Sequence, residues 1–220
     1  MLKFNNRTLI YNNRWLNETM IPIVLPSYTI RLLYKDGVTP TFVKGTGVQV
    51  SESPNIWDLT YNNNDWSELL SLEEDLLEVL GANTSNVTNM ALMFNWCRSL
   101  RSVALFDTSN VTNMGGMFAY CQDALTTVPI FDTSNVTNMG GMFIYCTVLT
   151  TVPLFNTSKV KHMNNMFRNC INVESGILAL YQQASTQTTP PAEHSETFWD
   201  CGIDTVTGAA ELAQIPSDWK

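Results

Sequence analysis

Apolar residues in the second half of the chain recur in a fixed phrase. In Thr108–Leu125, TSNVTNMGGMFAYCQDAL, they fall at Val111, Met114, Met117, Phe118 and Cys121, with polar or small residues between them. On a helix of 100° per residue these five lie within an arc of about 120°, which predicts a short amphipathic helix. Ser109 or Thr108 is placed to cap its first free N–H groups. Gly115 and Gly116 weaken that helix by about 1 kcal/mol each relative to Ala, so it depends on packing and takes on partly 3₁₀ character. The next segment, Leu125–Ile130 (LTTVPI), alternates. Alternation sends Val128 and Ile130 inward and the residues between them outward.

The phrase returns at Thr84–Leu100, Thr133–Leu149 and Thr157–Val173, and thirteen residues, FDTSNVTNMGGMF, are identical at Phe106–Phe118 and Phe131–Phe143. Five cysteines, Cys97, Cys121, Cys146, Cys170 and Cys201, keep the same time, with gaps of 24, 25, 24 and 31 residues. A period of this size marks a chain that stacks one coil on the next. Leu100, Val103 and Leu105, then Leu149, Val152 and Leu154, predict further strands in a parallel stack. Phe106, Phe131 and Phe155 predict a phenylalanine column in the core. Pro129 and Pro153 cannot donate to a ladder, so the sheet is expected to be two or three residues wide. The expected fold is α/β: a leucine-rich-repeat solenoid with short helices and a narrow parallel sheet, capped at both ends, plus a small N-terminal β region. Its segments are an N-terminal β region (1–63), a cap (64–80), repeats (81–175) and a degenerate C-terminal cap (176–220).

The ends read differently. Asp65 is placed to cap a short helix over Trp66–Leu77, a lid on the first coil. Ile177–Ser185 reads as a helix ended by Pro190 and Pro191. Phe198, Cys201, Leu212 and Ile215 echo the repeat as a fifth coil, with Trp199 and Trp219 as its lid. Before residue 64, hairpins are expected around Asn5–Asn6 and Asn12–Asn13. YTIRLLYKDG is a strand entering an Asp-Gly turn, and NIWDLTYNN a further strand. This region serves as a cap, an anchor or an oligomerisation unit.

FDTSNVTNMGGMFAYCQDALTTVPI resembles the BspA-like leucine-rich repeat, in which the Asp-Thr-Ser, the Val, the Met pair, the Phe and the Cys sit at these spacings. The likeness spans roughly residues 76–175. It departs most in the fourth unit, where Asn156, Lys161, Asn164 and Asn165 stand at family positions. The resemblance implies a binding scaffold rather than an enzyme, often surface-exposed or secreted and associated with adhesion and ligand binding.

Charge and chemistry narrow the field. Twelve Lys and Arg against twenty Asp and Glu give −8, which disfavours nucleic acid and anionic membranes as partners. No apolar run approaches a membrane span, and the first residues do not read as a secretory signal. The expected location is the cytoplasm or a virus particle, with the cell surface implied by the resemblance. The cysteines form no CxxC pair and are expected to be a buried apolar ladder; the methionines read as core filler. No cofactor or metal is expected. His194, between Glu193 and Glu196, lacks a nucleophile motif and reads as a loop residue.

Two surface columns are the binding candidates. Trp96, Tyr120 and Tyr145 form an aromatic stripe suited to a sugar ring or a protein anchor. Arg101 and Ser102, Thr126 and Thr127, and Thr150 and Thr151 line the outward strand face. The expected function is non-catalytic recognition or adhesion toward a protein or cell-surface glycan. The alternative is a structural or receptor-binding part of a phage particle, anchored or oligomerised through residues 1–63.

Overall fold

In the computed structural model, residues 25–220 are described, together with the two short strands β1 (Ile10–Tyr11) and β2 (Arg14–Trp15), which pair antiparallel. The hairpin expected around Asn5–Asn6 lies outside the described residues. The regular structure is a five-stranded mixed sheet, ordered β4–β5–β3–β6–β7. Its strands are β3 (Thr29–Tyr34), β4 (Thr46–Glu52), β5 (Asn55–Thr60), β6 (Leu76–Ala82) and β7 (Ser102–Val103). Strand β3 is TIRLLY, β-rich in composition and central in the sheet. Its Ile30, Leu32 and Tyr34 are wholly buried. On its opposite face the Arg31 guanidinium grips Asp58 with two bonds of 2.7 Å. β6 pairs antiparallel with β3 and parallel with β7, so the sheet runs into the first repeats without a break.

The expected α/β solenoid of short helices on a narrow parallel sheet gives way to this mixed sheet and a stack of turns. The repeat helices are not formed. Both α-helices among the described residues, α1 (Ile177–Ser185) and α2 (Val206–Ala213), lie after the repeats, and each repeat is a run of tight turns. The reason is visible in the backbone. Leu92, Trp96, Gly116, Tyr120, Gly141, Tyr145, Asn165 and Asn169 all have φ between 57 and 63°, so a left-handed residue interrupts every repeat twice, four residues apart. A residue with positive φ cannot continue an α-helix. The same four-residue spacing keeps Val111, Met114, Met117, Phe118 and Cys121 on one side, which is why the pattern resembles a helix. All five are fully buried.

Backbone hydrogen bonding explains how such a coil is stable. From Met114 to Cys121 the amides of Met114, Gly116, Phe118 and Tyr120 donate to Asn138, Gly140, Met142 and Ile144 of the next coil, at 2.8–2.9 Å. Those of Met117, Ala119 and Cys121 close turns onto Met114, Gly116 and Phe118, and that of Gly115 donates to the Asn113 side chain. Every amide in the stretch is satisfied, half of them only because a neighbour is present. Parallel bridges at Asp65, Asn89, Asn113, Asn138, His162 and Glu193 mark six stacked coils.

The narrow parallel sheet is likewise not continuous. It is the single pair β6–β7, an isolated bridge between Thr151 and Ser175, and an amide bond from Thr150 to the Thr126 carbonyl between them. The prolines and a one-residue insertion before Leu125 prevent a longer ladder. Inside, Phe94, Phe118, Phe143, Phe167 and Phe198 stack at 5.1–6.0 Å, with Phe106, Phe131 and Phe155 buried beside them. The end coils are covered differently from expectation. The front lid is a turn-built coil with Trp66 buried, because Glu68 and Leu72 take positive φ where a helix was expected. At the back Trp219 is buried against Phe198, while Trp199 is 43% exposed. Gly202 and Gly208 let α2 close on Val173, whose carbonyl an added Cβ would meet at 2.7 and 2.1 Å.

Candidate functional site

The repeated phrase itself is consumed by the stacking. The Thr108 and Thr133 hydroxyls donate to the Asp132 and Asn156 carbonyls at 2.9 Å. The Asp107 and Asp132 carboxylates accept from Ser109 and Ser134 amides at 2.9 Å, and the Ser134 amide and then its hydroxyl hold the Asp132 carboxyl below its usual range. Asn110 and Asn135 reach back one coil to the Ser85 and Ser109 carbonyls at 2.7 Å. The cysteines also work within the stack. Cys97, Cys121, Cys146 and Cys170 donate S–H to Leu70, Phe94, Phe118 and Phe143 at 3.0–3.1 Å, and burial pushes the Cys121 thiol up to about 12. The identity of the copies therefore reflects a shared interface. What is left over for a ligand is the outer surface.

Trp96, Tyr120 and Tyr145 do come together. Their rings stack at 4.6 and 5.1 Å, tilted by 11 and 9°. Each sits on a left-handed residue, with φ of 62, 61 and 58°. That conformation costs a large side chain about 1–2 kcal/mol. The Arg98 guanidinium lies over the Trp96 ring, 4.7 Å from its centroid. Tyr120 thus has a ring against each face, and Trp96 a ring and a cation. A sugar stacks on a free aromatic face, and Tyr120 at the centre of this column has none.

The second predicted set lies further along each coil, past a buried cysteine and a buried leucine. Arg101, Ser102, Thr126, Thr127 and Thr151 are exposed and Thr150 is half-buried. Arg101 is held by Glu78 at 2.8 Å; the Thr150 amide and hydroxyl both donate to the Thr126 carbonyl, at 3.0 and 3.2 Å. The two sets remain separate surfaces.

A third column was expected in the core and is not there. Leu105, Ile130 and Leu154 are 54, 65 and 51% exposed, while Val103 and Val152 point in and Val128 is partly buried. The signal was available. Phe106, Phe131 and Phe155 follow these residues directly, and neighbours in an extended chain cannot both face the core. The phenylalanines take the inside, which leaves an apolar stripe beside the threonine rows.

His194 is tied to the end cap. It stacks on Trp219 at 4.3 Å, its Nδ1 lies 3.0 Å from the Pro191 carbonyl, and its Nε2 lies 3.4 Å from Asp218. It borders an open depression of about 380 Å³ with Asn164, Glu193, Ser195 and Asp218. His162 pairs with Glu193 at 2.9 Å, and Arg168 with Glu196. Among the described residues no group of His, Cys, Asp or Glu is arranged to hold a metal ion, and no helix is long and apolar enough to cross a membrane.

Comparison with known families places the chain. It belongs to the family described as "Mycoplasma protein of unknown function, DUF285", whose model matches residues 65–184, more than half of the 220 residues. This replaces the BspA-like leucine-rich repeat as the family assignment; the matched family is related to those repeats, which accounts for the likeness of the phrase. No curated protein and no solved structure matches the chain.

Proposed function

We propose that this protein is a non-catalytic adhesive module that binds a protein partner on the face carrying Leu105, Ile130 and Leu154. The observation that carries the reading is their exposure in one column, rung upon rung, beside Thr126, Thr127, Thr150 and Thr151. Contiguous exposed apolar side chains framed by polar ones are the usual anatomy of a protein-binding patch. The covered ring faces of Tyr120 and Trp96 favour a protein over a glycan, and give the aromatic column the task of bracing the coils. The relation of the family to adhesive surface repeats agrees with this.

The test uses the labelled full chain on bacterial cells, on protease-treated cells and on a glycan array. The triple variant Leu105→Glu, Ile130→Glu, Leu154→Glu is expected to lose cell binding at least about tenfold, since anchors at a patch centre dominate affinity. Protease treatment of the cells removes the signal and the array stays blank. A bound glycan, or cell binding untouched by the triple variant, overturns the reading.

A further inference from the structure

The apolar stripe has an acidic border. Exposure alternates along each rung: Leu105 is exposed, Phe106 buried, Asp107 exposed and Thr108 buried, and Ile130–Thr133 repeats the order. Asp107 and Asp132 therefore stand on the same side as Leu105 and Ile130, one coil apart. The third rung departs, with Asn156 two residues past Leu154. One coil earlier, the register of β6 with β7 puts Gly81 at the stripe's position and Asn83 at that of Asp107. There Leu25 fills the space beside Gly81, 3.9 Å from where a Cβ would stand, and its carbonyl accepts from the Asn83 side chain at 2.9 Å. The exposed face thus begins at Leu105.

The charge on this face is one-sided. Between Arg101 and Lys159 the chain has no Lys, Arg or His. Both bracketing cations are engaged, Arg101 by Glu78 at 2.8 Å and Lys159 by the Asn135 side chain at 2.6 Å. Among the described residues the ion pairs engage other carboxylates, and neither Asp107 nor Asp132 has a cationic partner. The Ser109 and Ser134 amides hold the two carboxylates in place at 2.9 Å. Like charges held one coil apart repel each other, and a cation brought by a partner relieves that repulsion. A second copy of the same face would set carboxylates against carboxylates, which disfavours self-pairing here.

Rung spacing selects the shape of the partner. Phe106 and Phe131, the neighbours of Leu105 and Ile130, have ring centroids 5.1 Å apart. A helix lying along the stack rises about 5.4 Å per turn, so its apolar side chains stay in register over three rungs. An extended strand returns to one face only every ~6.7 Å and is about 3 Å out of step after two rungs.

We infer that the partner presents a basic amphipathic helix, laid along the stack with apolar residues from successive turns on Leu105, Ile130 and Leu154. Lys or Arg on the helix flank faces Asp107 and Asp132. The inference rests on the stripe being the binding face proposed above, and adds to it the partner's local fold and charge.

The experiment measures binding of the full chain to three labelled synthetic peptides by fluorescence anisotropy. The first is a helix-forming peptide with a leucine stripe edged by lysines, the second carries glutamates for the lysines, and the third is a scramble of the first. The lysine-edged peptide is expected to bind at least about tenfold tighter than the other two. Asp107→Asn with Asp132→Asn should weaken it about tenfold and flatten its salt dependence, and Asn156→Asp should strengthen it about threefold. These changes exchange residues that the stack already accepts at this position, since Asn156 takes the Ser158 amide at 3.0 Å as the aspartates take theirs. Equal binding of the three peptides overturns the inference, as does a preference for the glutamate edge. Binding unchanged or strengthened by the Asp→Asn pair also overturns it; that is the result if the chain's own residues 1–24, with Lys3, Arg7 and Arg14 against Glu18, occupy the face. On cells, a signal lost with Leu105→Glu, Ile130→Glu, Leu154→Glu but kept with the Asp→Asn pair overturns the inference and leaves the proposed function standing. A signal untouched by either variant overturns both.

Discussion

The sheet β3–β6 and the stack of coils meet in one continuous core, yet they hold themselves together by different means. In the sheet, β3 is buried along its full length and its partners come from distant segments, with Arg31 and Asp58 clamping the outer face. In the stack, each coil bonds the next through repeated carbonyls, threonines, asparagines and thiols. The sheet is specified by which strands meet; the stack is specified by what every coil carries. The sheet segments β3–β5 contain no cysteine, and the stack hides five.

That last difference gives the largest expected effect. All five thiols are buried and all are pushed above the ordinary value near 9, by desolvation first. A raised folded pKa contributes stability that is complete below the unfolded value and is lost as pH rises toward the folded one, about 12 for Cys121. All five thiols shift in the same direction, so each adds to that loss. The protein is therefore expected to unfold sharply above pH 9, well short of pH 12. Circular dichroism against pH checks this, and Cys121→Ala with Cys146→Ala should move the transition upward. Thiolate absorbance appearing at pH 8.5 while the fold persists would sink it.

Next in size is Phe143→Ala. This side chain is fully buried and stacked between Phe118 and Phe167, at 5.5 and 5.1 Å. The loss is expected to be about 3–5 kcal/mol by urea denaturation. The smallest contrast compares two buried threonines. Thr133→Val leaves the Asn156 carbonyl without its 2.9 Å donor inside the stack and should cost about 1–2 kcal/mol. Thr29→Val removes a 3.0 Å contact to the half-buried Thr60 hydroxyl, which water can replace, and should cost about 0.5 kcal/mol. Equal losses would show that the coil ladder has no special claim on its hydroxyls.

Much of this was legible as spacing. The period, the phenylalanine column, the buried cysteines, β3, β5 and α1 all follow from which residues recur and where. The conformation of the coil did not, because a left-handed residue every fourth position produces the same one-sided pattern as a helix. Its signature was present in residue type: Gly116, Gly141, Asn165, Asn169 and Asp200 stand at those positions, and Gly, Asn and Asp accept positive φ most readily. The aromatic residues sharing the column, Trp96, Tyr120 and Tyr145, masked it. The exposure of the threonine rows was legible; that of the apolar stripe was missed, because Ile130 and Phe131 were both assigned to the interior.

The near identity of adjacent coils has a consequence for how such a chain changes over generations. Where two interfaces are built from the same thirteen residues, a segment running from Phe106 to the residue before Phe131 can be lost or copied whole, and the surfaces brought together are ones already known to fit. Length then varies in rungs of about 4.8 Å, each adding one more apolar side chain to the outer stripe and one more thiol to the column. A gene carrying this repeat can lengthen or shorten its product without inventing a new fold.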